Sequence, residues 1–295
     1  MTQQSISLSI VIATYKREDL LVKSLAALLA LREHFDELIL VDQTPEHSPA
    51  TADFIGANIG SKFKVIKLNE PAVCLARNIG IAAVRSDIVL FLDDDIEVCD
   101  PRFIEAHKQC YIDDNTHAVQ GRILLQDGSH QVVRPRSREV ELFDSFVTAN
   151  VSARRCVLVA CGGFDESFTG RTYANEDGDL GRRLKYKGYR TIFSYDAVIV
   201  HAKAPSGGNR LTRMDRSPEW TKSVTFYQFA LRHYEGFAAY LEIARVIRVI
   251  ALRRENASRF WLLPSAILHS FWAFYIALKR HRQGFRSSLI RSNSE

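Results

Sequence analysis

Apolar and polar positions follow two rhythms along the first part of the chain. "LSIVIATY" (8–15) is a short branched apolar run ending in turn chemistry, and it predicts a strand. "REDLLVKSLAALLALRE" follows, with Leu20, Leu21, Leu25, Leu28 and Leu29 at the spacing of an amphipathic helix. "ELILVDQTPEHS" reads as a second strand closing at Asp42, then a turn rich in Pro, Thr and Ser; "FKVIKLN" reads as a third strand. "EPAVCLARNIGIAAVRSD" puts Leu75, Ile79 and Ala82–Ala83 on one face, predicting a helix from near Pro71. Ile88 to Leu92 is apolar at every position, as in a strand buried on both faces, and it runs straight into Asp93, Asp94 and Asp95. Strands alternating with helices of this length predict an α/β fold, a mostly parallel sheet covered on both sides.

Beyond residue 100 the pattern loosens. "RFIEAHKQCYIDD" reads as a helix, "AVQGRILLQ" as a strand, and "HQVVRPRSREVELFD" as an irregular basic loop. "FVTANVSARRCVLVACGGFDESF" reads as a strand and a turn through Gly162–Gly163. "NEDGDLGRRLKYKG" predicts a short helix, with Leu180 and Leu184 as an i,i+4 pair and Gly188 as its stop. "YRTIF" and "DAVIVH" read as two strands, the second ending at His201, and "KAPSGGNRLTRMDRSPEW" as loop. In the last third, "YLEIARVIRVIALRREN" predicts an apolar helix carrying Arg245 and Arg248. A further mostly apolar stretch runs from Trp261 to Leu278 and ends in basic residues. A spanning helix needs roughly 20 apolar residues. Pro264, Ser265, His269 and Ser270 interrupt this one, so an interfacial helix anchored by aromatic and basic residues is expected instead.

Charge sharpens the division. Residues 1–200 carry 23 Lys and Arg against 28 Asp and Glu, a net of −5, whereas residues 201–295 carry 16 against 6, a net of +10. A basic tail suggests an anionic partner, a membrane surface rather than nucleic acid; a homodimer contact is the other use of such helices. The five cysteines show no CxxC spacing, and the N-terminus has no basic segment leading into a long apolar stretch. Both features fit a reducing, cytoplasmic setting, and the basic tail adds the expectation that it lies at the inner face of the cell membrane.

The candidate chemistry sits at strand ends. Ligands of such sheets bind outside the carboxyl ends of the strands, which puts Thr14–Tyr15, Asp42 and Asp93–Asp95 on one rim. Three adjacent carboxylates repel one another unless a cation lies among them, and a hard ion such as Mn2+ or Mg2+ suits oxygen ligands. Alternate residues of an extended chain point the same way, so Asp93 and Asp95 can share one face.

These residues carry a resemblance. "SIVIATYKRED", "LVDQT", "ARNIGIAAVRSDIVLFLDDDIEV", "GGFDESF", "NEDGDL" and "VIVH", in this order across roughly residues 7–203, resemble a family 2 glycosyltransferase of the GT-A fold. The resemblance implies a metal-dependent, inverting transfer of sugar from a UDP-, dTDP- or GDP-sugar to a glycan or lipid-linked acceptor, in bacterial surface polysaccharide or glycolipid assembly. It implies that Ala13, Thr14 and Tyr15 line the nucleotide pocket and that Asp42 binds the base. Arg77 would reach the base or the diphosphate. Asp93 and Asp95 would form the DxD motif, with Asp95 the direct metal ligand, Asp93 facing ribose or metal, and Asp94 beside the donor. His201 would contact metal or diphosphate, Asp177 would be the catalytic base, and Glu176 its companion. Asp165 or Glu166 would lie near sugar hydroxyls. Gln43 replaces the acidic or Asn residue often found after the base-binding Asp, which leaves the base open.

The expected organisation is a GT-A domain over 1–205, with a nucleotide half (1–100) and an acceptor half (101–205), then a basic helical region over 206–295. Two other readings compete. A sugar-nucleotide nucleotidyltransferase would want a Gly-rich basic loop after the first strand, which "ATYKRED" lacks. An inactive sugar-binding scaffold would be expected to lose the carboxylates, which this chain keeps. No GxGxxG follows the first strand, against a dinucleotide oxidoreductase.

Overall fold

A strand that is apolar at every position needs cover on both faces, and the helices provide it. The structure is a computed structural model that describes residues 6–129, 146–168, 174–202, 220–251 and 263–291. Its elements are β1 (Leu8–Thr14), α1 (Asp19–Leu29), β2 (Glu37–Asp42), α2 (Pro49–Asn58), β3 (Phe63–Lys67), α3 (Val73–Ala83), β4 (Ile88–Leu92), β5 (Ile96–Glu97) and α4 (Phe103–Gln109). They continue with β6 (Ala118–Leu125), β7 (Asn150–Arg154), α5 (Arg155–Ala160), α6 (Glu176–Tyr186), β8 (Thr191–His201), α7 (Trp220–His233), α8 (Gly236–Ala251), α9 (Leu263–Arg282) and α10 (Ser288–Arg291). The basic segment 130–144, the loop 203–219 and the expected boundary near residue 205 lie outside the described residues.

The eight strands form one sheet in the order β3-β2-β1-β4-β7-β6-β8-β5. Strands β1 to β4 are parallel, β7 is antiparallel to both β4 and β6, β8 is parallel to β6, and the short β5 turns back along β8. Alternation along each strand splits the core in two. Leu8, Ile10, Ile12, Leu38, Leu40, Ile88, Leu90 and Leu92 face α1, α2 and α4. Val11, Ile39, Val41, Val89 and Phe91 face α3, α5 and α6. Gly80 lets α3 lie close to β1, since a Cβ there would sit 2.3 Å from Val11 Cγ1. The chain winds one way from β1 to β3 and returns through α3 to β4 on the other side of β1. A topological switch therefore opens between β1 and β4, where Thr14 and the three aspartates lie.

Four features differ from the sequence expectation. The turn after Asp42 holds α2, which is capped by Ser48 and starts with Pro49 but buries only Thr51 and Ile55, so it has no apolar stripe to read. The run after β7 is the helix α5. "YRTIF" and "DAVIVH" are one strand, β8, which bulges opposite Gly121–Arg122 where Asn150 Nδ2 donates to the Ala197 carbonyl at 2.8 Å. Helix α7 falls inside the helical region expected over 206–295 but was not picked out as an element of its own. No described helix is long and apolar enough to cross a membrane.

Helix α7 packs on both α6 and α9, and it braces the body through buried charge. Asp179 of α6, fully buried, meets Arg183 at 2.9 Å, Arg232 at 3.0 Å and His233 at 2.9 Å. Arg232 also pairs with the buried Asp165. Burial acts to raise the Asp179 carboxyl, but the His233 hydrogen bond and the two arginines outweigh it and hold the group at about 2. The tail closes the same region. Ser288 donates through its backbone N–H and hydroxyl to Glu166 at 2.7 and 2.6 Å, and the Arg286 N–H donates to Asp165 at 3.3 Å. Asp165 and Glu166, one or the other expected near sugar hydroxyls, are thus turned toward the C-terminal segment.

Because the folded-state value of Asp179 lies below its ordinary 3.8, its contribution is full above about pH 4 and fades as pH falls toward 2. Asp179→Asn is expected to cost about 2–4 kcal/mol at pH 7 and to flatten the acid limb of stability. Urea unfolding across pH checks this; equal stability at pH 7 would contradict it.

Candidate functional site at the strand ends

The three aspartates after β4 divide between two directions, each with its own partners. Asp94 turns inward. Its Oδ2 accepts from the Thr14 hydroxyl at 2.7 Å, and its Oδ1 faces Arg17 Nε at 3.2 Å. Burial lifts the Asp94 carboxyl to about 6, with Arg17 and Thr14 pulling the other way. Ser24 of α1 pins the backbone here: its hydroxyl donates to the Ile96 carbonyl at 2.8 Å and accepts from the Ile96 N–H at 3.0 Å. Asp94, expected beside the donor, is thereby bound up in the support of the rim.

Asp93 and Asp95 turn the other way and meet at one ring nitrogen. His201, the last residue of β8, places Nε2 2.8 Å from Asp95 Oδ1 and 3.6 Å from Asp93 Oδ2. Strand β5 makes this meeting possible, since Ile96 pairs with His201 and the Ala202 N–H donates to the Asp95 carbonyl at 2.8 Å. One potential ligand atom from each of Asp93, Asp95 and His201 falls within 4.8 Å of the others. Two carboxylate oxygens and one imidazole suit Mn2+ or Mg2+ by donor type, so the residues present fit a divalent ion. Burial raises the Asp93 carboxyl above its ordinary value, with His201 and Arg77 opposing that rise.

The nucleotide side is also assembled. Asp42, at the end of β2, accepts from the Thr44 N–H at 2.9 Å and faces His47 Nε2 at 3.0 Å and Lys67 Nζ at 2.7 Å. Its carboxyl stays below the ordinary value because the Lys67 and Thr44 hydrogen bonds outweigh burial. Gln43 ties β1 to the start of α3, with Nε2 donating to the Thr14 carbonyl at 3.1 Å and Oε1 accepting from the Ala72 N–H at 2.6 Å. Ala13 and Tyr15 are half-buried on either side of Thr14. After Tyr15 the chain turns through Lys16 at φ +52°, where the Lys16 N–H donates to Thr44 at 2.8 Å.

On the acceptor side, Arg77 of α3 meets Glu176 of α6 at 3.0 Å and lies over the Phe164 ring at 5.3 Å. Glu176 is buried in that pair, and Asp177 stands half-buried next to it. Burial, then the adjacent Glu176 charge, pushes the Asp177 carboxyl up to about 7. Asp93 and Asp177 each feel the charges of Glu176 and Arg77, so the structure brings these four groups within electrostatic reach. Asn175, at φ +66°, makes the left-handed turn that starts α6 and presents both acids. Sequence reasoning did not single out Arg17, His47 or Lys67. Each lies in a turn or at a strand end, where no periodicity marks it, and a lone basic residue on the acidic rim was the one available signal.

The different surroundings of Asp93 and Asp94 are testable without ligand. Asp94→Ala leaves the buried Arg17, among the described residues, facing Asp95 at 3.6 Å, and is expected to cost about 3 kcal/mol or more. Asp93→Ala is expected to stay within about 1 kcal/mol, because its side chain is 32% exposed and its charge is disfavoured. Similar losses in urea unfolding would contradict the division of roles.

The profile of the family described as "Glycosyl transferase family 2" matches residues 9–165. No curated protein matches the sequence. Among solved structures, the chain is similar to GalNAc-T7 with UDP, GalNAc and Mn2+, at a TM-score of 0.65 and 12% identity, covering 92% of this chain and 58% of that one. It is similar to S. aureus TarS 1-349 at a TM-score of 0.58 and 13% identity, covering 95% and 92%. It is also similar to the mannosyltransferase PcManGT from Pyrobaculum calidifontis in complex with GDP-Man and Mn2+, at 0.55 and 16%, covering 99% and 79%. The fold is thus that of the GT-A glycosyltransferases. Since the family profile matches more than half of the residues, the chain belongs to glycosyl transferase family 2 and is a glycosyltransferase.

Proposed function

We propose that the protein moves a sugar from a nucleoside-diphosphate sugar to a hydroxyl of a glycan or lipid-linked glycan, with inversion at the anomeric carbon. The observation that carries this reading is the convergence of Asp93, Asp95 and His201 at one point of the rim, with Asp93 close enough for its charge to act on Asp177. In this proposal Asp93, Asp95 and His201 hold Mn2+ or Mg2+, which when bound neutralises the charge of the departing nucleoside diphosphate. Neighbours of the same fold were solved with UDP or GDP-Man and with Mn2+, which supports a donor and an ion of these classes.

The chain's own groups account for the rest. Asp42, held ionised by Lys67 and Thr44, suits an N–H donor on a nucleobase. Asp177 takes the proton of the acceptor hydroxyl as its oxygen bonds to the anomeric carbon and the bond to the diphosphate breaks. A carboxylate at about 7 is matched to that role near neutral pH. Glu176, fixed by Arg77, orients rather than accepts. One base attacking through the acceptor, with no nucleophile of the chain needed, is the chemistry of inversion. The proposal extends to surface polysaccharide or glycolipid assembly at a membrane, and its support is the basic, aromatic C-terminal region.

Asp95→Ala is expected to abolish the Mn2+-dependent part of nucleotide binding in calorimetry. Equal Mn2+-dependent affinity in mutant and parent would remove the metal assignment.

Asp177→Asn is expected to keep donor affinity and lower turnover roughly 10²–10⁴-fold. In the parent, transfer should rise about tenfold per pH unit below the Asp177 value of about 7 and level off above it, because only the deprotonated carboxylate accepts the proton. Near-parental single-turnover transfer by Asp177→Asn would move the base elsewhere.

A further inference from the structure

The C-terminal helices bury one side and leave the other uncovered. In α9, Ser270, Ala273 and Ala277 are buried, with Ser270 bonded to the Tyr227 hydroxyl of α7. Leu268, Phe271 and Tyr275, at i, i+3 and i+7, are 70%, 64% and 62% exposed. In α8, Val246 is buried while Phe237, Tyr240 and Leu241 are 75%, 73% and 57% exposed. Single exposed apolar residues are ordinary, but stripes of large side chains on two packed helices are not.

Charge says what covers them. Along α8 the exposed Arg245 and Arg248 follow the aromatic residues, interleaved with apolar ones, and α9 ends in Lys279, Arg280, His281 and Arg282 with no acidic residue in the helix. Glu242, in contact with Arg245, is the acid on α8 after its first turn. Aromatic side chains beside basic helix ends are the composition of helices that lie in a bilayer interface, their rings at headgroup depth and their cations on anionic lipid. A second copy of the chain would set these like charges against each other, which disfavours a dimer.

We infer that the exposed faces of α8 and α9 seat the protein on an anionic lipid surface. The surface is independent of the donor site; its purpose, bringing Asp177 to a lipid-linked acceptor, rests on the function proposed above. The link is physical, because α7 packs on these helices and grips α6 through Arg232 and His233.

The test is flotation of the full chain with phosphatidylcholine vesicles, with and without phosphatidylglycerol. The parent is expected to float with the mixed vesicles and to be released by salt. Phe271→Glu with Tyr275→Glu should lower binding at least about tenfold. Arg245→Gln and Arg248→Gln should each lower it about fivefold. All of these positions are exposed, so the unfolding midpoint and Mn2+-dependent nucleotide binding should stay at parental values. Failure of the parent to float with anionic vesicles, or parental binding by the aromatic variant, overturns the inference. So does a concentration-dependent dimer in analytical ultracentrifugation that the aromatic variant dissolves, since a second copy would then be the occupant. Loss of nucleotide binding with flotation intact would instead count against the proposed function alone.

Discussion

Everything at the rim depends on how three adjacent carboxylates are kept at the end of a buried strand. Left alone they would repel, and each buried charge would cost several kcal/mol. The fold divides them instead. Asp94 is satisfied behind the rim by Arg17 and Thr14, while Asp93 and Asp95 face His201 in front. The split requires Ser24 to hold the backbone at Ile96 and β8 to be long enough to bring His201 across from the far side of the sheet. The opposed directions come from the turn at Asp94–Asp95 that joins β4 to β5, whose far end is fixed where Ile96 pairs with His201.

The second constraint is the anchoring of α6. Its first turn carries Glu176 and Asp177 toward the rim and Asp179 into the protein. Asp179 is held by Arg183 of α6 itself and by Arg232 and His233 of α7, and Glu176 by Arg77 from α3. The helix is thus fixed from both ends of the sequence. That arrangement gives the C-terminal helices a structural role in the body, beyond any surface they present. Asn78 adds to it, with Oδ1 accepting from the Phe164 N–H at 2.8 Å and Nδ2 donating to Glu166 at 2.8 Å.

Much of this was legible in the sequence, for physical reasons. Strands β1, β2 and β4 announce themselves because both faces are buried, and α1 and α6 because a single stripe is. The positions of Asp42, Asp93–Asp95 and His201 follow, since each ends a strand. Helix α2 was not legible because it buries too little, and β8 looked broken because its bulge puts polar Tyr195–Asp196 in mid-strand. Pairings such as Arg17 with Asp94, His47 with Asp42 and Arg232 with Asp179 join residues of separate elements, which no local pattern records. The inward turn of Asp94 belongs to the same class: three identical letters in a row do not say which one the interior takes.

The most direct test of the central account is to see where a cation goes. Crystals of the full chain grown with Mn2+ and a nucleoside diphosphate would be measured at the manganese absorption edge. The account expects one anomalous peak among the side chains of Asp93, Asp95 and His201, with Asp94 still turned to Arg17. A peak elsewhere on the protein, no peak at saturating Mn2+, or Asp94 swung out to take the ion in place of Asp95 would contradict it.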